Sequence, residues 1–316
     1  MSIYKTVCCL LNSKLWKGMV IFMLKQIYVS TDIFKKFPQA KKDYNAFVYK
    51  MNRNKINVHQ IDIKNDLDNS NIFMDILKGL LNDSLVITTR LNIVNMEEKN
   101  IFCVGFGEDY RGKIPYIIAD LYVTYNYMRL IYARYTHTPF VVANTNRLLL
   151  REIQLEDVKD LCKLYDTLSD CPYLEPLYSY EKELEFTKNY IKNMYAFYQY
   201  GLWLVYEKST QELIGRVGIE NRQIDGILRQ ELGYVIGKNY QHKGYAYEAA
   251  KAVIKYAKEE LFLQELFICV QKDNIPSVGL AEKLGFTPYG EAQEFVLYHS
   301  FISTDNEENS HIYMNI

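Results

Sequence analysis

Three absences bound the class of this chain. Its six cysteines, Cys8, Cys9, Cys103, Cys162, Cys171 and Cys269, include no Cys-x-x-Cys pair and no neighbouring histidine at ligand spacing. No zinc-site pattern or other metal call follows, and the thiols read as reduced ones in a cytoplasmic protein. Charge of one sign is also missing: 37 Lys+Arg stand against 38 Asp+Glu, for a formal net charge of -1. The bulk composition therefore carries no electrostatic footprint for nucleic acid. Long apolar runs are absent too. Val7–Leu11 and Met19–Leu24 are separated by Lys14 and Lys17, and both fall short of the roughly 20 residues that span a bilayer. No small-residue cleavage site follows them, so the reading is an amphipathic helix, with Met1 and Met23 both eligible as the natural start.

What is present is enough chain for two cores: 316 residues, 49% of them hydrophobic. From Gln26 to about Thr138, short apolar runs alternate with amphipathic stretches. Gln26–Ser30, Ile56–Ile63, Leu85–Thr88, Ile101–Val104 and Tyr116–Ile118 read as strands, and residues 31–51, 67–82 and 122–135 as helices. Strands separated by helices predict a small parallel, Rossmann-like sheet in an N-terminal α/β domain over residues 1–140. Asp32, just past the first strand, reads as a helix N-cap. Gly105-Phe-Gly107 lacks the third glycine of a dinucleotide loop and reads as a strand end. The order of elements is faintly similar to a reduced haloacid-dehalogenase-like domain, but the Asp-x-Asp-x-Thr nucleophile motif of that family is missing.

His137-Thr-Pro-Phe140 marks a boundary, and a second domain over residues 141–316 opens with the strand Asn146–Glu152. The informative stretch lies deep inside it. Glu231-Leu-Gly-Tyr-Val-Ile-Gly237 alternates as a strand, Gln241-His-Lys-Gly-Tyr-Ala246 is a loop, and Ala246, Ala250, Val253 and Ala257 recur at helical spacing. Strand, glycine loop and helix start together make a site suited to a pyrophosphate, since unpaired N–H groups and a positive dipole end face it. Downstream come the strand Leu266–Gln271, then Asn274-Ile-Pro-Ser277, then Leu280–Phe286 with its Leu-Gly-Phe ending.

The ordered set Gln-x-x-Gly-x-Ala, Asn-x-x-Ser and Leu-Gly-Phe resembles the GNAT superfamily of N-acetyltransferases over about residues 146–300. Thr145, Arg147 and Arg151 fit the opening run of its ribosomal-protein N-acetyltransferase branch. The resemblance implies an α+β fold with a splayed mixed sheet and an acetyl-CoA-dependent transfer to an amine by direct attack on the thioester. Val235, Ile236, Gly237, Gln241, His242, Lys243, Gly244, Tyr245, Ala246, Asn274 and Ser277 would then hold the coenzyme, with the pantetheine arm bonding the strand near Val235 and Gly237. An N–H near Ile236 would face the developing oxyanion, Ser277 would serve the departing thiol, and Tyr173, Glu175 and Tyr178 would touch the acceptor. The acceptor stays open between a protein N-terminus, a lysine and a small amine, and homodimerisation stays open as well.

An amine must be neutral to attack, so a base is needed near it; Glu231 is the first candidate and Glu220 the second. Each residue has a plainer alternative. Glu231 could be a charge opposite Arg216 in the sheet, Ser277 could satisfy helix donors, and the tyrosines could cover core. Cys269, where some related enzymes carry an acid, reads as a small buried hydrophobe rather than a nucleophile. A rival reading of the whole is a catalytically silent acyl-CoA-sensing or protein-binding module. The tail after Ile302 reads as mobile.

Overall fold

The computed structural model describes residues 13–16, 19–22, 24–62, 84–89, 102–107, 116–224, 226–292 and 294–302. The helix expected over 67–82, Cys8, Cys9, Met23 and the tail from Ser303 lie outside them. The chain divides into two compact units, Met1–Phe140 and Val141–Ile316. Near the start, β1 (Ser13–Trp16) and β2 (Met19–Phe22) pair antiparallel, Ser13 opposite Phe22 and Trp16 opposite Met19. This corrects the helix expected there: Trp16, Val20, Ile21 and Phe22 are residue types that favour a pleated ladder. Among the described residues no helix is long and apolar enough to cross a membrane.

In the first unit β3 (Gln26–Ser30), β4 (Asn57–Ile61), β5 (Ser84–Thr88), β6 (Phe102–Phe106) and β7 (Ile117–Ile118) form one sheet in the order β4-β3-β5-β6-β7. All its pairings are parallel. Strands β5 and β6 are buried along their whole length, as parallel strands covered on both faces must be. The helix expected over 31–51 is two helices, α1 (Asp32–Lys36) and α2 (Pro38–Arg53). Pro38 is the cause, because a residue before proline is pushed out of the helical region, and Phe37 sits at φ -130° and ψ 83°. Helix α3 (Tyr125–Tyr135) is capped by the Thr124 hydroxyl, which accepts from the Tyr127 N–H at 3.0 Å. Phe47 and Met51 of α2 and Met128 and Ile131 of α3 close the core over Ile27, Val29, Leu85 and Val104.

Asp32 is not the cap expected of it. It is the first residue of α1, after Thr31, and its two carboxylate oxygens accept hydrogen bonds from the Ser30 and Thr89 hydroxyls. The parallel pairing of β3 with β5 brings Thr89 to it.

The second unit has an eight-stranded sheet in the order β14-β15-β13-β12-β11-β10-β9-β8. Its strands are β8 (Val141–Asn144), β9 (Leu148–Arg151), β10 (Leu202–Glu207), β11 (Leu213–Ile224), β12 (Ile227–Ile236), β13 (Glu265–Gln271), β14 (Thr287–Ala292) and β15 (Phe295–Phe301). Every neighbouring pair is antiparallel except β12 with β13. Strand β8 precedes the expected opening strand and hairpins onto it. The expected strand from Glu231 begins earlier, at Ile227, as the return arm of a long β11–β12 hairpin.

Helices α4 (Val158–Asp166), α5 (Tyr180–Tyr190), α6 (Tyr245–Glu259) and α7 (Ile275–Lys283) complete the unit. Helix α5 runs on as a π-helical stretch, Ile191–Tyr198, a rare geometry that recurs near functional sites. Ser179 stands at the N-cap of α5 as expected, without a side-chain capping bond among the described residues. Helix α6 buries Ala249, Ala250, Val253, Tyr256 and Ala257 against the sheet; Tyr256 meets the fully buried Trp203 edge-on at 5.4 Å. Arg151, almost wholly buried on β9, donates to both Asp157 oxygens at 2.7 Å and to the Tyr206 hydroxyl at 2.6 Å, which pins the turn that starts α4.

Candidate active site

The site begins where β12 leaves β13. Their register is confined to one pair, Glu231 with Phe267, after which the strands diverge. At that fork the Cys269 N–H donates to Glu231 Oε1 at 3.3 Å, so a side chain takes the place of a strand carbonyl. The second oxygen of Glu231 is held by the Arg222 Nε. Glu231 is only 8% exposed, and its partner is Arg222. The alternative placing it opposite Arg216 is thereby overturned, since Arg216 registers with Val235.

Directly across the ladder from Glu231 stands Glu220. Burial pushes both carboxyls above the usual carboxylate range, while Arg216 and Arg222 pull Glu220 back and Arg222 pulls Glu231 back. The Glu220 charge also raises Glu231, and Glu175 raises Glu220, as like charges sharing a site do. The Tyr190 hydroxyl bonds Glu220 from α5. Cys269 lies at the same place, its sulfur 3.8 Å from Arg222 Nη1 and its thiol pushed up by burial, which suits a packed hydrophobe rather than a nucleophile.

Backbone groups along the fork follow from ladder alternation. Gly237 donates its N–H to the Ile214 carbonyl at 2.8 Å. The odd-numbered residues of β12 therefore bond β11, and Tyr234 and Ile236 turn their backbone groups toward the gap. The backbone groups of Val235 and Gly237, expected to bond the pantetheine arm, are thus taken by β11, and the Ile236 N–H lies on the gap side. The Ile236 carbonyl is already engaged, accepting from Gln241 Nε2 at 3.0 Å, so Gln241 ties the loop to the strand.

The loop itself fits a pyrophosphate. Gly244 is the N-cap of α6 at φ 77°, with no side-chain capping bond among the described residues, and is exposed. His242 is left-handed as well, at φ 60°. Tyr245 and Ala246 open a helix of 15 residues whose first N–H groups lack intrahelical partners. An acid in that first turn, Glu248, would repel an anion, but it is fully engaged. Its Oε1 accepts from the Thr145 hydroxyl at 2.6 Å and the Arg147 N–H at 3.0 Å, and its Oε2 from Arg147 Nε at 2.6 Å. Arg147 also donates to the Lys243 carbonyl at 2.9 Å and lies 4.4 Å over the Tyr245 ring. A guanidinium thus stands beside the loop, joining exposed His242 and Lys243 as positive or polar neighbours. The sequence reading saw Arg147 only as part of the opening strand; the pairing of its charge with Glu248 in a helix start was the available signal.

At the far side of the gap, Asn274 caps α7 by accepting from the Ser277 N–H at 3.3 Å. That task, one alternative for Ser277, therefore falls to Asn274. The Ser277 hydroxyl instead meets the Tyr234 phenol, 2.9 Å away. Tyr234 is the residue the sequence reading missed, and nothing in the pattern Glu-Leu-Gly-Tyr announced the contact. Of the acceptor candidates, Tyr173 donates to the Asp273 carbonyl at 3.2 Å, bridging the α4–α5 connection to the start of α7. Glu175 is exposed, yet its charge reaches Glu220. Tyr178 is exposed and stands against Phe186, their ring centroids 5.6 Å apart, with Phe186 in turn 5.9 Å from Tyr190.

Residues 147–287 match the family described as acetyltransferase (GNAT) domain. The uncharacterized protein YkkB of Bacillus subtilis (strain 168) is 31% identical over 144 residues, 45% of this chain and 82% of YkkB. The uncharacterized N-acetyltransferase p20 of Bacillus licheniformis is 29% identical over 154 residues, 48% of this chain and 85% of p20. The [ribosomal protein uS5]-alanine N-acetyltransferase of Escherichia coli (strain K12) is 26% identical over 172 residues, 51% of this chain and 86% of that enzyme. The family match covers the part of the chain that carries the fork, the glycine loop and the Asn274–Ser277 cap, and the chain belongs to the GNAT family of N-acetyltransferases.

Proposed function

We propose that the second unit transfers an acetyl group from acetyl-CoA to a primary amine by direct attack, without an acyl-enzyme. The coenzyme supplies the thioester; the chain's own residues bind, orient and move protons. The N–H groups at the start of α6, with Arg147 and Lys243 beside them, hold the phosphates. The gap-facing backbone of Tyr234 and Ile236 takes the extended arm as an added strand would be taken, and the Ile236 N–H meets negative charge on the carbonyl oxygen.

Glu231 is the base, directly or through water, with Glu220 sharing the proton across the ladder. The observation that carries this is the position of Glu231 at the fork, buried, at the head of the gap and opposite a second carboxylate. Its raised ionisation suits proton abstraction nearer neutral pH than an ordinary carboxylate. Burial pushes the Cys269 thiol up, which disfavours the thiolate that a covalent route would need.

The name of the Escherichia coli relative favours a protein α-amine among the acceptors. The test is mass spectrometry of an alanine-initiated peptide, a lysine peptide with a blocked N-terminus and a polyamine, each incubated with acetyl-CoA and the protein. Acetylation of the alanine amine alone supports the protein N-terminus. A label trapped on the enzyme without acceptor would sink direct attack.

A further inference from the structure

One contact across the gap has no part in the scheme above. Tyr234, on β12 between the loop and the fork, reaches across to the first turn of α7 and places its phenol oxygen 2.9 Å from Ser277 Oγ and 3.1 Å from the Ser277 carbonyl. An arm anchored at Gly244 and running along β12 toward Glu231 brings its reactive end past these two hydroxyls. The two oxygens have two proton arrangements. In one, the phenol donates to the carbonyl and Ser277 donates back to the phenol, so that both protons are consumed. In the other, the phenol donates to Ser277 Oγ and frees the Ser277 proton to point into the gap. A phenol is the more acidic hydroxyl and the stronger donor, and an electron-rich sulfur in the gap selects the second arrangement.

Resting on the transferase reading, we propose that Tyr234 is a positioning residue for the donor: it donates to Ser277 Oγ and so aims the Ser277 O–H at the coenzyme's sulfur. Burial pushes the Tyr234 phenol up to about 12, while the Ser277 contact draws it down, so it keeps its proton throughout the working range. Asn274 makes the arrangement available, because its side chain caps α7 and leaves the Ser277 hydroxyl free of that duty.

The test reads the thiol of bound coenzyme A and needs no acceptor. Ultraviolet titration of the CoA thiolate on the full chain is expected to show ionisation at lower pH than for free CoA, since a hydrogen bond donated to the anion favours it. Tyr234→Phe should raise that value by about one unit, a tenfold change in the thiolate ratio, and Ser277→Ala by a similar amount. The double variant should rise no further than Ser277→Ala alone. Calorimetry at a pH where the thiol is neutral establishes that each variant is titrated with CoA bound. A Tyr234→Phe titration matching wild type overturns the proposal, as does an unshifted Ser277→Ala should the tyrosine variant fail to fold. Absence of CoA binding by the folded wild-type protein overturns the transferase reading itself, and this inference with it.

Discussion

In the first unit, five strands pair in parallel over consecutive residues; in the second, the parallel pair β12 and β13 registers only at Glu231 and Phe267 and then separates. The polar groups at the two places behave accordingly. Just past β3, Asp32 is satisfied by the hydroxyls of Ser30 and Thr89, one from the last residue of β3 and one from just past β5. At the fork, the Cys269 N–H finds no strand carbonyl and is met by Glu231, while Tyr234 and Ile236 keep backbone groups for the gap. A complete ladder uses up its own donors and acceptors. A ladder that opens hands them to side chains and ligands, and that is where we propose this chain does its chemistry.

The contrast is tested hardest at the fork. Glu231→Gln should lower kcat about 100-fold, within the range of a lost general base, while calorimetry shows CoA binding intact. Glu220→Gln should fall comparably, and the double variant little further, because the two carboxyls act on one proton. Both carboxyls are held above their ordinary range by burial, and the base works ionised. The acid limb of kcat/KM should therefore lie above the usual carboxylate range, with activity rising as pH climbs through it, and Glu220→Gln should move that limb downward. Full activity in both single variants would mean that the fork holds no base.

Gly244→Val comes next. A β-branched residue in the left-handed region is strained by about 2 kcal/mol, so CoA should bind roughly 30-fold more weakly. Arg147→Ala removes the cation beside the loop and leaves Glu248 facing the phosphates, an expected loss of about 1.4 kcal/mol, or tenfold in CoA affinity. Added salt should shrink that loss, because the residue is partly exposed. The smallest effect belongs to the closed ladder. Asp32→Asn should change unfolding free energy by about 1 kcal/mol, read by denaturant titration, and leave acetylation untouched. Loss of acetylation in that variant would break the separation drawn between the two sheets.

Much of the candidate donor site was legible along the chain because its parts are local. A glycine before a helix start, an asparagine three residues before a serine and an alternating strand are patterns within a few residues, and each formed where expected. The acceptor side was less legible. Tyr173 touches the Asp273 carbonyl across 100 residues, and the Glu175 charge acts on Glu220 from a different part of the chain. The helix expected at the start became a hairpin for a related reason: a short apolar run has no periodicity to separate the two.

By itself the sequence determined the two-part organisation of motifs, the strand–loop–helix around Gly244, the Asn274–Ser277 helix start and Glu231 and Glu220 as the candidate bases. Only the tertiary structure decided register, and register decided roles. It set Glu231 opposite Glu220 rather than Arg216, gave it Arg222 and the Cys269 N–H, turned Tyr234 toward Ser277, and put Arg147 beside a loop almost 100 residues away. The physical reason is that a side chain's type and periodicity are written locally. Which charge, donor or ring it meets depends on where separate strands stop pairing, and no local pattern records that.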